Sequence, residues 1–114
     1  MGVKRARVPG RGDVLWLDLN PTRGHEQRGR RPVLVVSPKE YNAKSGLALV
    51  CPITSHAKGY PFEIELKIKA VHGVVLVDQI RSIDWTERSA ERVGAVPETI
   101  LTVAQEYLRK IIFE

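Results

Sequence analysis

The chain has 114 residues, with 18 Lys or Arg against 13 Asp or Glu, a net charge of +5 and a pI near 9.7. That balance favours an acidic partner such as nucleic acid, an acidic protein or an anionic surface. A single cysteine, Cys51, excludes an intrachain disulfide and a cysteine-based zinc cluster, and the three histidines lack HxxxH or HExxH spacing. No run approaches the roughly 18 to 20 apolar residues of a membrane span, so no membrane association is expected.

A chain of this size buries about two-thirds of its unfolded surface, and residues 1–114 read as one domain with no linker or repeat. Residues 1–11 carry Lys4, Arg5, Arg7 and Arg11 with Pro9 and Gly10 and read as a loose basic arm. No apolar core follows this arm, so it does not read as a signal peptide, and the expected location is the cytoplasm.

From Asp13 to Leu19, Leu15, Leu17 and Leu19 alternate with Trp16 on the other face, which predicts a first strand. Gly24 to Arg31 is a charged loop punctuated by two glycines, and Val33 to Ser37 is an apolar β-branched run that reads as a buried second strand. A basic loop joined directly to a core strand has a shape the core can fix, as a polyanion site requires. Tyr41 to Gly46 reads as a turn, preceded at most by one helical turn.

Leu47 to Ile53, nearly all apolar, predicts a third strand covered on both faces. Pro52 has no N–H to give a ladder, which places it at an edge or a bulge that would re-aim Thr54. Phe62 to Leu66 alternates Phe62, Ile64 and Leu66 with Glu63 and Glu65, as a half-exposed strand does. Val74 to Val77, Ile80 to Trp85 and Arg92 to Val96 are further short strands. Pro97 to Ile112 is the one long helix: Ile100, Leu101, Val103, Ala104, Tyr107, Leu108, Ile111 and Ile112 form one apolar stripe. Pro97 suits its first position and Glu98 its positive end. Several short strands with one terminal helix predict a small, mainly antiparallel barrel with a helix packed on it.

Four segments then stand in one order: Gly12-Asp13-Val14-Leu15-Trp16; Glu26-Gln27-Arg28-Gly29-Arg30-Arg31-Pro32 with its apolar run and Ser37-Pro38; Cys51-Pro52-Ile53-Thr54-Ser55 with Lys58-Gly59-Tyr60-Pro61-Phe62-Glu63; and Asp78-Gln79-Ile80-Arg81-Ser82-Ile83. Together they resemble the MazF/PemK toxins, sequence-specific endoribonucleases of type II toxin–antitoxin pairs. The resemblance implies an SH3-like antiparallel β-barrel of the plasmid-maintenance-toxin type with a C-terminal helix. It also implies a homodimer, a single-stranded RNA substrate and an acidic antitoxin partner, with no metal and no cofactor.

Metal-free RNA cleavage needs a base for the 2′-OH, a donor for the charge on the phosphorane and a proton for the departing 5′-oxygen. It leaves a 2′,3′-cyclic phosphate and a 5′-hydroxyl, and DNA cannot follow it. Arg31 is the first candidate, because a guanidinium is always charged and matches two phosphate oxygens. Thr54 follows from the resemblance, its hydroxyl donating to a phosphate oxygen beside Arg31. Glu26 has two roles open to it, base or orienter of Arg31. Arginines around a carboxylate depress its pKa and weaken it as a base, which favours the orienting role. His25 carries a group with an unperturbed pKa near 6.5 and is the better-tuned acid or base.

For RNA binding the candidates are Gln27, Arg30, Lys58, Tyr60, Asp78, Gln79, Arg81 and Ser82. Tyr60 offers a face on which a base can stack, or a structural aromatic before Pro61; Lys58 offers a phosphate contact. Two other readings compete with the nuclease: a CcdB-like toxin that poisons gyrase on the same barrel, and a plain nucleic-acid-binding barrel. The Arg31/Thr54 pairing and the motif from Gln27 to Pro32 favour the nuclease.

Overall fold

The computed structural model describes residues 7–18 and 30–114. Among these residues seven strands and two helices run in the order β1 (Asp13–Asp18), β2 (Arg30–Val35), α1 (Lys39–Ser45), β3 (Leu47–Thr54), β4 (Glu63–Lys67), β5 (His72–Leu76), β6 (Arg81–Asp84), β7 (Glu91–Ala95) and α2 (Glu98–Phe113). A 3-10 turn, Val77–Gln79, links β5 to β6. The strands form one antiparallel sheet in the order β4-β5-β3-β2-β1-β7, with β6 paired to β3. The sheet curls: a Cβ built at Gly94 on β7 would meet Ile68 Cδ1, beyond the end of β4, at 3.0 Å. The result is a half-barrel carrying a C-terminal helix.

β3 is the branch point. Its first half pairs with β6, as in Leu47 with Asp84 and Val50 with Arg81, and its end pairs with β5 through Ile53–Val75 and Thr54–Val74. Its other edge pairs with β2 in one continuous register, Val35–Val50, Leu34–Cys51 and Val33–Pro52. Pro52 therefore sits in a regular central strand rather than at the expected edge or bulge. The Val36 N–H donates to the Leu49 carbonyl at 2.9 Å. By antiparallel alternation, Val33–Pro52 is then a non-hydrogen-bonded pair and the Pro52 nitrogen faces the other edge. There it falls between the β6 ladder, which ends at Val50, and the β5 ladder, which begins at Ile53. The break between two ladders absorbs the missing donor. The register shift lies elsewhere, between β1 and β7 at Val14/Leu15.

Period-two alternation sends the central strands to two cores, as expected for β3. Leu34, Cys51 and Ile53 join Val14, Ile64, Leu66, Val75 and Ala104 on one face. Val33, Val35, Ala48 and Val50 join Leu15, Leu17, Ile83 and Trp85 on the other. Helix α2 covers the first face through Ile100, Ala104, Tyr107 and Leu108, with Tyr107 edge-on to Phe62 at 5.3 Å. Its apolar stripe is longer than the surface it covers: Val103, Ile111, Ile112 and Phe113 are exposed. Pro97 is the N-cap rather than the first helical residue. Its carbonyl accepts from the N–H groups of Ile100 and Leu101.

Two further expectations are corrected. The segment after Pro38 is a seven-residue helix, α1, closed by Gly46 in the left-handed region (φ 74°), a conformation that favours glycine. Residues 7–11 of the supposed loose arm are held. Val8 packs on the second core, the Pro9 carbonyl accepts from Asn42 Nδ2, and Arg11 Nε donates to the Val36 carbonyl. The carbonyl of the buried Asn42 in turn accepts from Trp85 Nε1, tying the arm, α1 and the turn after β6 together.

Candidate functional site

The site forms where β2, β3 and β5 meet. Arg30 and Arg31, read from sequence as the end of a loop, are the first two residues of β2 and pair with Asp18 and Leu17 of β1. β1 captures them because their backbone groups complete its ladder, whatever their side chains prefer. The β2·β3 ladder ends at Val33–Pro52, and two residues further along each strand stand Arg31 and Thr54. Arg31 and Thr54 line one cavity of about 310 Å³ together with Trp16, Arg30 and His72. A second one beside it, of about 290 Å³, is bounded by Arg31, Pro52, Ile53, Thr54 and His56.

The two arginines differ in what they touch. The Arg30 guanidinium donates to the Ser89 carbonyl at 3.1 Å and the Trp16 carbonyl at 3.4 Å, and lies 3.4 Å from Asp18 and 3.6 Å from Glu91. It staples the start of β2 to β1 and β7, so much of its donor capacity is spent inside the protein. Arg31 is exposed and has no hydrogen-bond or ion-pair partner among the described residues. A cation without a protein partner at the mouth of a cavity is available to an anion.

Thr54 occupies the hinge between strand and loop. Its Oγ1 accepts the His56 N–H at 3.1 Å, a local turn that fixes the oxygen and leaves the hydroxyl proton to donate elsewhere. Ser55 Oγ lies 3.2 Å from His56 Nδ1. Thr54 also borders a third cavity of about 250 Å³ with His56, Lys58, Tyr60, Glu63 and Gln79. Here the structure gathers three RNA-binding candidates, Lys58, Tyr60 and Gln79, around Thr54, with Tyr60 58% exposed. The loop that carries Lys58 and Tyr60 is latched: both Glu63 carboxylate oxygens accept the Lys58 N–H at 3.2 Å, and one accepts the Gly59 N–H at 3.1 Å.

Not every candidate is brought here. Arg81 and Ser82 lie on β6 opposite Val50 and Leu49, several residues back along β3 from Thr54, and Asp78 is exposed on the 3-10 turn. None of the three lines the cavities that hold Thr54. The switch of β3 from β6 to β5 separates them from it. His25, Glu26 and Gln27 lie outside the described residues. Sequence reasoning missed His56, His72 and Glu63; the Thr54-Ser55-His56 order was the available signal, because a Thr two residues before an N–H commonly makes such a turn. It missed Gly73 as well, where a Cβ would stand 2.4 Å from the Thr54 carbonyl oxygen.

A family model for the PemK-like, MazF-like toxins of type II toxin–antitoxin systems matches residues 10–112. The chain belongs to this family. It is 48% identical over 94 residues to the endoribonuclease toxin MazF of Escherichia coli K12, spanning 82% of this chain and 85% of that protein. It is 40% identical over 104 residues to the Escherichia coli endoribonuclease PemK, spanning 87% and 78%. Among solved structures, MazF of Deinococcus radiodurans superposes with a TM-score of 0.84 at 45% identity, over 96% of this chain and 100% of that one. The same toxin in its MazE–MazF complex gives 0.83 at 42% identity, over 94% and 97%. As a member of this PemK/MazF family, the chain shares the half-barrel and terminal helix of those neighbours. No helix among its described residues is long and apolar enough to cross a membrane.

Proposed function

We propose that this PemK/MazF-family toxin is an endoribonuclease that cuts single-stranded mRNA at specific sequences and so arrests translation and growth. The single observation that supports the reading is that Arg31 and Thr54, a guanidinium and a hydroxyl, line one cavity. In this reading Arg31 takes two oxygens of the scissile phosphate, and the Thr54 hydroxyl donates to one of them. Both contacts grow stronger as charge gathers on the phosphorane. The 2′-oxygen attacks, with Glu26 or His25 receiving its proton, and the products are a 2′,3′-cyclic phosphate and a 5′-hydroxyl. The reaction draws on the substrate's own nucleophile and needs no metal.

Lys58, Tyr60 and Gln79 accommodate the nucleotides beside the scissile link, by charge, stacking and hydrogen bonding. The protein acts in the cytoplasm as a homodimer. It is held inactive by an acidic antitoxin segment that competes with RNA for the basic surface, which suits a chain of charge +5. The solved MazE–MazF complex of the Deinococcus radiodurans relative supports the existence of such a partner.

Mapping the cut ends of a long RNA in excess EDTA tests the reading. Discrete internal cuts with cyclic-phosphate and 5′-hydroxyl termini are expected. A strict metal requirement would overturn the mechanism. Toxicity without any cut, retained by Arg31→Ala, would point to a target such as gyrase.

A further inference from the structure

Arg31 and Thr54 stabilise charge, but neither supplies the proton that the departing 5′-oxygen needs. We propose that His56 is that proton donor, an inference that rests on the ribonuclease reading above. Three observations place it. His56 lines a cavity with Arg31 and Thr54 and also borders the neighbouring cavity that holds Thr54. Its backbone N–H donates to Thr54 Oγ1 at 3.1 Å, which ties the His56 backbone to the Thr54 side chain. Ser55 Oγ engages Nδ1 at 3.2 Å, which leaves Nε2 as the nitrogen that exchanges a proton with the substrate. His72 reaches the same region from β5, but it borders the larger cavity beside Arg30 and lacks this tie to Thr54.

The bond from the 2′-oxygen to phosphorus forms while the 2′ proton passes to the general base of the ribonuclease reading. The bond from phosphorus to the 5′-oxygen breaks, and its electron pair takes the proton from Nε2 of the His56 imidazolium. The imidazole is left neutral and regains a proton from water. Thr54 remains a hydrogen-bond donor to a non-bridging oxygen throughout.

The test compares a short RNA of the mapped cleavage sequence with the same RNA carrying sulfur in place of the bridging 5′-oxygen. A sulfur leaving group departs as thiolate and needs no proton. His56→Gln should lower the cleavage rate of ordinary RNA about 100-fold or more, the usual range for a lost general acid. On the sulfur substrate the loss should shrink to less than about 5-fold. Binding of an uncleavable RNA with a 2′-deoxy residue at the cut site should be unchanged, which separates proton donation from positioning. Arg31→Ala should lose rate on both substrates. Equal losses for His56→Gln on oxygen and sulfur, or a sulfur rescue specific to His72→Gln, would overturn the assignment while leaving the ribonuclease reading intact. Failure of the wild-type protein to cut either substrate would overturn both.

Discussion

Arg31 and Thr54, 23 positions apart in sequence, line the same two cavities, each two residues beyond the point where the β2·β3 ladder from Val35–Val50 ends at Val33–Pro52. The ladder is a rigid frame: Val33, Val35, Val50 and Cys51 are fully buried. Apolar packing therefore fixes the backbone from which the two polar side chains project, and donors set on a fixed frame are the ones that contribute most to a transition state.

Arg31→Ala should separate activity from stability. Arg31 is exposed and without a partner among the described residues, so its removal should change folding free energy by no more than about 0.5 kcal/mol. Cleavage should fall on the order of 100-fold or more. Arg31→Lys should recover only part of the rate, because an ammonium lacks the planar fork that meets two oxygens. Thermal melts and initial rates on one RNA check both halves.

Gly73→Ala should damage the site from behind. The added Cβ would fall 2.4 Å from the Thr54 carbonyl oxygen and 3.1 Å from its carbonyl carbon, so the strand end must shift. Displacement of packed backbone typically costs about 1–3 kcal/mol. Because Thr54 is the residue displaced, the rate should drop more than the melting temperature alone explains. By contrast, His72→Ala on the adjacent exposed position should leave stability nearly unchanged. Cleavage assayed well below each variant's melting temperature distinguishes the two effects.

Much of this architecture was legible in the residues. The alternation of Leu15 and Leu17, the apolar run from Leu47 to Ile53 and the stripe through Ala104 and Tyr107 all report a core-facing periodicity that packing then obeys. What escaped was decided by partners far away in sequence. Arg30 and Arg31 look like loop residues until β1 supplies Asp18 and Leu17 as ladder partners. Pro52 looks like an edge until β3 is seen to change neighbours at that point. Residues 7–11 look solvated until Asn42 and Val36 are there to hold them. The candidate pair itself was marked by the resemblance of the motifs, whereas His56 and Glu63 show their relation to it only when the loop after β3 is in place.

Glu63→Ala should loosen that loop without unfolding the half-barrel. Its carboxylate collects the Lys58 and Gly59 N–H groups, and hydrogen bonds to a charged acceptor contribute about 1.5–3 kcal/mol where they are shielded from water, less at a surface such as this one. Amide exchange at Lys58 and Gly59 should accelerate in the variant while exchange in β2 and β3 stays slow. With Lys58 and Tyr60 no longer held beside Thr54, KM for a short RNA should rise more than kcat falls. Glu63→Gln, which keeps an acceptor oxygen but not the charge, should lie between the variant and the wild type.

Cys51 should make the protein sensitive to alkali. Burial, and secondarily the charge of Asp78, push its thiol from 9.0 up to about 12, and its sulfur sits 3.8 Å from the Val77 carbonyl. The folded chain therefore holds this proton at pH values where the unfolded chain has lost it. The stabilisation is fully present below about pH 9 and is lost as pH rises towards 12. Within that window the slope contributed by this group approaches about 1.4 kcal/mol per pH unit. Denaturant melts at intervals between pH 8 and 11 should show a steeper loss for the wild type than for Cys51→Ala, whose side chain cannot ionise. Parallel slopes would mean that the thiol is less shielded than its packing against Leu34 and Ile53 implies. A native thiol that reacts with a small disulfide reagent at pH 8 as fast as the unfolded one would say the same.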